Sequence, residues 1–598
     1  MTPTVADFVW ERLHSWGVRR VYGYPGDGIG GLIGALARSE GAIDFVQVRH
    51  EEMAALMACG TAKFTGEVGV CIATSGPGAI HLLNGLYDAK LDHQPVLALV
   101  GQQARSAIGS HYQQDLDLQS LFKDVAGAYV ETAFTPAQVP HLIDRAYRIA
   151  KAQRQVTCVI LPNDLQTQAM EQPSHEHGMT RSGVGIELSP VVPNEAALGR
   201  AAAVLNAGER VAMLVGAGAL HATDEVIAVA ERLGAGVAKA LLGKAVVPDD
   251  LPFCTGSIGL LGTKASWDLM QGCDTLLMVG SGFPYMEFLP KQDQARGVQV
   301  DIDPGMLGLR FPMEVNLIGD SKATLRALLP MLDAKAYKDW RKTIEKSAAE
   351  TREEARATAM VKAEPINPHR VAYELSERLP DNSVVTADSG TTTVWYARDV
   401  RFRRGMMGSV SGTLATMGCA IPYAVAAKFA FPERPVIALV GDGAMQMNGM
   451  AELITIAKYW HRWADPRLIV MVLNNRDLAY VTWEERIQAG DPKWDASQSL
   501  PDIPYAEFAK LIGLNGIRVD DPERVGPAWD AAIAADRPMV LDMVTDPNVP
   551  PLPPHITLKQ ARSFTGAMLG DEPEAGSVLR NTARELLTSL MPGNNAPE

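Results

Sequence analysis

Two apolar runs, Pro435-Val436-Ile437-Ala438-Leu439-Val440 and Leu468-Ile469-Val470-Met471-Val472-Leu473, restrict the folds open to this chain more than any other feature. Neither alternates with polar residues, so each must be buried on both faces, as strands of a helix-covered parallel sheet are. The first runs into Gly441-Asp442-Gly443-Ala444 and a helical segment; the second ends on Asn474-Asn475. Parallel strands present their C-terminal ends at one edge, where ligands of α/β proteins bind. A carboxylate and a carboxamide meeting there offer hard oxygen ligands of the kind Mg²⁺ takes beside phosphates. Gly441 and Gly443 let backbone approach a diphosphate, and the helix N-terminus at Ala444 brings amide donors to it. Gly-Asp-Gly alone reads equally as a tight turn; the asparagines at the matching strand end carry the argument further.

The same strand–turn–helix order recurs along the chain. Val18–Gly23 leads into Pro25-Gly26-Asp27-Gly28, and Ile43–Val48 leads through Arg49-His50-Glu51-Glu52 into an alanine-rich helix, Met53–Lys63. Val68–Ala73 feeds Thr74-Ser75-Gly76-Pro77-Gly78 and a helix to Asp88, Pro95–Val100 follows, and Val156–Leu161 closes the unit. Polar residues 165–190 read as a linker. A second unit carries Val211–Val215 with Gly216-Ala217-Gly218, a weak dinucleotide fingerprint that reads equally as a turn. Val237–Ala240, a loop at Thr255–Gly262, Thr275–Val279 before Gly280-Ser281-Gly282-Phe283-Pro284-Tyr285, and Val298–Pro304 complete it. Charged Ala334–Ala363 reads as a solvated helical connector. The third unit runs from a helix at Asn367 through Val384–Ala387 and Asp388-Ser389-Gly390 to the two opening strands and Met539–Val544. This order predicts an α/β protein of three doubly wound parallel-sheet domains, at 1–180, 190–335 and 365–548, with a connector at 336–364 and a C-terminal tail at 549–598.

At 598 residues the chain exceeds a single core, and 47% apolar with 21% charged residues is a globular composition. A net charge of −14 argues against nucleic acid as a partner. No apolar run has the length to cross a bilayer, and Asp7, Glu11 and Arg12 argue against a signal peptide. Six scattered cysteines without CxxC spacing read as buried thiols of a reducing compartment, which predicts a cytoplasmic protein.

Arg49-His50-Glu51-Glu52, Ser75-Gly76-Pro77-Gly78 and Gly441-Asp442-Gly443 with Asn474-Asn475 together resemble the thiamine diphosphate signature of the pyruvate oxidase and acetolactate synthase superfamily. The quinone-linked pyruvate dehydrogenases are the nearest group. The resemblance implies pyrimidine-binding, central FAD-type and diphosphate-binding domains in that order. It implies Mg²⁺ on Asp442, the Asn475 side chain and the Asp477 main-chain carbonyl. Glu51 would bond the aminopyrimidine and promote the imino tautomer that removes the C2 proton. Gly26, Ser75, Gly76 and Gly78 would let backbone approach the ring, with Asn84, Asp388 and Gly390 nearby. Met417 would prop the cofactor into its bent form while the Ala415 carbonyl bonds its amino group. Tyr480 takes an aromatic position linked to electron passage. Gly259, Gly282, Phe283, Pro284 and Asp301 would line FAD, and His111 and Gln114 would meet the substrate. Four positions depart from the pattern: an insertion around Tyr459–Trp463, Met286 for a basic residue, Gln113 for an aromatic one, and Ala479 for glycine.

The activity implied is oxidative decarboxylation of a 2-oxo acid, pyruvate foremost, with electrons passing through FAD to quinone or another acceptor. A non-oxidative carboligase or decarboxylase is the rival, and a non-catalytic cofactor-binding regulatory subunit a third reading. The family's site lies between subunits, which implies a homodimer or homotetramer. In membrane-associated relatives the tail binds lipid, implying peripheral contact with the inner membrane face. The alternative is a tail that packs on its own protein, with Val578, Leu579, Thr582, Ala583, Leu586, Leu587 and Leu590 on one helical face.

Overall fold

The structure, a computed structural model, describes residues 3–171, 183–335, 338–570 and 572–590; part of the predicted linker, the last tail residues and the side chain of Leu590 lie outside them. Three six-stranded sheets form, all of whose strand pairs are parallel.

The first sheet holds β1 (Arg20–Gly23), β2 (Asp44–Gln47), β3 (Gly69–Ala73), β4 (Val96–Gln102), β5 (Val130–Thr132) and β6 (Val156–Pro162), ordered β2-β1-β3-β4-β6-β5. The second holds β7 (Val211–Val215), β8 (Gly236–Lys239), β9 (Cys254–Ser257), β10 (Thr275–Val279), β11 (Arg296–Asp301) and β12 (Val315–Ile318), ordered β12-β11-β10-β7-β8-β9. The third holds β13 (Val384–Ala387), β14 (Met407–Ser409), β15 (Val436–Gly441), β16 (Leu468–Asn474), β17 (Asn515–Val519) and β18 (Met539–Val544), ordered β14-β13-β15-β16-β18-β17. The two runs that opened the sequence argument are β15 and β16, paired side by side and buried along nearly their whole length. The edge strands differ from expectation. β5 has three residues, none of them buried, and so carries no apolar run to read. β9 occupies the first half of the predicted Thr255–Gly262 loop.

Seven helices matter for the site. α1 (Glu51–Thr65) is buried nearly all round, which explains its weak amphipathic signal. The helix expected from Ala79 to Asp88 is broken into Pro77–His81 and α2 (Leu83–Leu91). α3 (Lys338–Ala359) is the predicted connector, but one side of it is not solvated. Ile344 and Ala348 are buried, and the Trp340 indole donates to the Val211 carbonyl of the central sheet at 3.1 Å. α4 (Ala420–Ala430) crosses α1 closely enough that a Cβ on Gly60 would lie 3.0 Å from the Tyr423 ring and 3.1 Å from Ala426. This crossing joins the first and third sheets into one core. After β15 the chain makes a turn of α-helix at Asp442–Ala444, a π turn at Met445–Gly449, then α5 (Met450–Tyr459). Wide π turns concentrate at functional sites.

The tail forms α6 (Leu558–Leu569) and α7 (Ala575–Leu590). A buried ion pair fastens it to the third domain, Arg486 to Glu572 at 2.6 Å. Trp483 stacks on Phe564, and Asn581 donates to Asp546 at 3.0 Å. The predicted single apolar face of the tail helix divides: Val578 is buried while Leu579, Leu586 and Leu587 are exposed. All six cysteines are buried and unpaired. Among the described residues no helix is long and apolar enough to cross a membrane.

Candidate active site

The third sheet brings Asp388, Asp442 and Asn475 to one edge, at the ends of the adjacent strands β13, β15 and β16. Asp442 is buried; its Oδ1 accepts the Gly443 amide at 2.9 Å and its Oδ2 the Arg476 amide at 2.5 Å. Burial pushes its carboxyl up to about 7 despite those donors. A desolvated carboxylate is what a divalent ion would restore to its charged form. The two asparagines differ in direction. Asn474 donates inward to Asp542 and Asp502, whereas Asn475 Oδ1 accepts the Asp477 amide at 3.0 Å, beside the Asp442 turn. The carboxylate of Asp477 is taken by the Thr482 hydroxyl and the Lys493 ammonium, each at 2.6 Å.

Open space lies over two glycines here: a Cβ on Gly441 or on Gly390 (φ +108°) would meet nothing within 4 Å. Gly443 is crowded, its Cβ position lying 2.8 Å from Leu478 and 3.0 Å from the Met417 methyl. Met417 therefore rests on the very turn that carries Asp442. Ala415 holds φ +57°, a left-handed backbone uncommon for an L-residue, which re-aims its peptide. Asp388 accepts the Gly418 and Ser389 amides on Oδ1, and its buried Oδ2 has no partner. Burial pushes this carboxyl too up to about 7. The buried, desolvated Asp442 carboxylate, and an Asp388 oxygen without a partner among the described residues, at an edge with room for a ligand, fit a metal–diphosphate group.

In the first domain Glu51 is the first residue of α1, and His50 caps that helix by accepting the Glu52 amide at 3.3 Å. Glu51 Oε2 lies 2.9 Å from His81 Nδ1, and its Oε1 lies 3.0 Å from the Cβ position of Gly78. The His50 and His81 rings sit 4.2 Å apart, so three candidate ligating groups cluster here. His81 was not predicted, because a single histidine in a helix leaves no local pattern. Gly26 lies against Thr74, and Gly76 (φ +65°) lies against Gln114, whose Oε1 accepts the Ser75 hydroxyl at 3.1 Å. Gln114 is thus at the turn, while His111 stands exposed on its loop. Asn84 spans two domains, donating to Glu52 at 2.6 Å and to Thr416 at 2.8 Å.

In the central domain Gly216 and Gly218 are packed against Gly280 and Ser281, which makes their turn a close-packing device. Gly259 lies under the Phe283 ring, which meets Tyr285 edge-on at 5.7 Å. Gly282 and Pro284 are exposed on the same loop. Asp301 ends β11, its carboxyl raised by burial. Tyr480, pushed up to about 12 by burial, lies beside Tyr285 and Glu484 at the seam with the third domain.

Family models match this chain in three consecutive stretches. They are the N-terminal TPP binding domain of thiamine pyrophosphate enzymes at residues 3–121, their central domain at 198–328 and their C-terminal TPP binding domain at 388–543. A Bacillus subtilis protein named "Putative thiamine pyrophosphate-containing protein YdaP" is 36% identical over 577 residues, 95% of this chain and 96% of that protein. The pyruvate oxidase of Lactiplantibacillus plantarum is 30% identical over 89% of this chain and 87% of its own length. The acetolactate synthase isozyme 2 large subunit of Escherichia coli is 31% identical over 92% and 97%. Similarity of this extent takes in both sheet edges as well as the strands beneath them, and the chain belongs to the thiamine pyrophosphate enzyme family.

Proposed function

We propose that this protein oxidatively decarboxylates a 2-oxo acid, pyruvate foremost, with thiamine diphosphate, Mg²⁺ and FAD. The observation that carries the reading is the third-sheet edge, where Met417 rests on the Asp442 turn and Asn475 stands beside it. Thiamine diphosphate supplies the electron sink that loss of CO₂ requires, and FAD supplies the two-electron acceptor.

In this reading Asp442, Asn475 and the Asp477 carbonyl hold the metal, and Gly441, Gly443 and Ala444 bring amides to the diphosphate. Met417 and the Ala415 carbonyl fix the bend of the cofactor, Asp388 and Gly390 flank it, and Glu51 holds the proton of the aminopyrimidine at its ring nitrogen. Gly26, Ser75, Gly76, Gly78 and Asn84 complete the ring side, with Gln114 and His111 toward the substrate. Gly259, Gly282, Phe283, Pro284 and Asp301 would line FAD, and Tyr480 would be the aromatic residue linked to electron passage. The domains run 1–180, 190–335 and 365–548, with the connector at 336–364 and the tail at 549–598.

Among the described residues the Glu51 side chain has its one hydrogen bond within the first domain, to His81. The reading includes a site completed by a second chain, hence a homodimer or homotetramer. The same reading makes the protein cytoplasmic, with quinone or another small oxidant as acceptor. Any contact with the inner membrane face would use the exposed Leu558, Leu569, Leu586 and Leu587 of the tail. A second reading, a non-oxidative carboligase, draws on the acetolactate synthase relative, which is matched as fully as the oxidase.

Anaerobic addition of pyruvate to the reconstituted enzyme separates the two. Flavin bleaching is the expected result. Release of CO₂ without bleaching would support the carboligase, and no reaction with several 2-oxo acids would sink both.

A further inference from the structure

The first and third sheets share one strand order, and each half of the site sends a helix toward the loop that serves the other half. α5 follows the Asp442 turn, and together with the short turn after it (Trp460–Arg462) it grips β2 and the loop from β2 to α1. Glu452 Oε1 accepts the Arg49 amide at 3.0 Å and the Tyr459 hydroxyl accepts the Gln47 amide at 2.9 Å. Lys458 donates to Gln47 Oε1 at 2.6 Å, and Arg462 donates to Asp44 at 2.8 Å. The segment so held delivers Glu51.

α2 follows the Ser75–Gly78 turn and grips the segment that delivers Ala415 and Met417. Asp92, at the C-terminal end of α2, accepts the amides of Gly412 at 2.9 Å and Thr413 at 2.8 Å. Lys63, near the end of α1, donates to Asp92 and to the Val410 carbonyl, both at 2.6 Å. Ser411 donates to Asp88 at 2.6 Å and accepts the Thr416 amide at 2.9 Å.

Asp92 and Glu452 are both buried, and among the described residues Glu452 Oε2 has no hydrogen bond of good geometry. A buried carboxylate used on one side is costly, and what it achieves here is to fix a main-chain amide two residues before Glu51. The Tyr459–Trp463 stretch, unexplained from sequence, is the outer end of the same grip.

We propose that Glu452 and Asp92 are reciprocal positioning residues: Glu452, with Tyr459 and Arg462, sets Glu51, and Asp92, with Lys63, sets the Ala415–Met417 loop. The inference rests on the roles of Glu51 and Met417 given above. Neither carboxylate contacts the cofactor; each acts through backbone amides.

The test uses the full-length chain with Glu452→Ala, Glu452→Gln, Asp92→Ala and, as control, Glu51→Gln. Glutamine keeps the acceptor oxygen and removes only the charge. In the cofactor-free protein, Glu452→Ala is expected to speed amide deuterium uptake in residues 47–52 about tenfold or more. Asp92→Ala is expected to do so in 410–417 instead. With thiamine diphosphate bound, Glu452→Ala is expected to slow C2 proton exchange about tenfold with cofactor affinity within about threefold, and Glu452→Gln to restore both readouts. Wild-type uptake and exchange in Glu452→Ala, or a Glu452→Gln variant as impaired as the alanine, would overturn the inference. If Glu51→Gln itself exchanges at the wild-type rate, the reading of Glu51 fails and the deuterium uptake alone judges the grip. Should Glu452→Ala not fold, Tyr459→Phe removes one acceptor hydroxyl, and unchanged uptake at 46–48 would count against the proposal.

Discussion

The first and third sheets have the same strand order, yet their ligand edges are finished in opposite ways. At the first edge the carboxylate and the hydroxyl have partners: Glu51 has His81, and Ser75 has Gln114. At the third edge, among the described residues, buried Asp388 Oδ2 has no partner, and burial raises both Asp388 and Asp442. The carboxylate of one edge is paired within its own domain; the carboxylates of the other are desolvated. Topology sets where a site can be, and the residues at the strand ends decide what it takes. In the proposed reading the first-sheet edge would hold a proton in place and the third-sheet edge would hold charge.

The comparison predicts which variants lose cofactor and which lose chemistry. Asp442→Ala should abolish metal-dependent binding of thiamine diphosphate and lower activity by roughly three orders of magnitude or more, measured by calorimetry and turnover. Retained tight binding would erase the contrast between the edges. Glu51→Gln should leave the cofactor bound while activity falls by about 10²–10⁴, read against C2 proton exchange. If this variant instead loses the cofactor, the first edge is a binding edge like the third. In the proposed reading Met417→Ala should cost about tenfold to a hundredfold in kcat with a smaller change in affinity, since Met417 would set the bend of the cofactor without being a metal ligand.

The smallest effect concerns the tail. His369 is buried; burial alone would lower its pKa, but Asp399 at 2.9 Å and Glu585 of α7 raise it to about 9. The unfolded value is about 6.5. The stabilisation is therefore full below pH 6.5 and is lost as the pH rises through 9, by on the order of 3 kcal/mol at most. Melting temperature should fall over that window, and His369→Gln should flatten the dependence. A melting curve indifferent to pH would mean that the His369 pairing contributes nothing to stability.

Much of this was legible in the residues themselves. β10, β13, β15 and β16 are runs of mostly apolar residues without polar alternation, and they are buried along nearly their whole length. Glu51, Asp442 and Asn475 sit at strand ends or helix starts, so a short motif carries each. What escaped detection was set by partners far away in the chain. β5 and β9 are short edges whose membership depends on the neighbouring strand. The amphipathic reading of the tail missed its anchor because Glu572 pairs with Arg486, 86 residues upstream. Arg49 and Glu452 are 403 residues apart, and neither has a local sign of the other.

The crossing at Gly60 bears on how such a chain can change over time. Glycine on one helix meets Tyr423 and Ala426 on the other with no slack, so growth on either side needs a compensating loss opposite. The first and third domains are therefore poor candidates for modular exchange between relatives. They would have to be inherited, or transplanted by an engineer, as a matched pair.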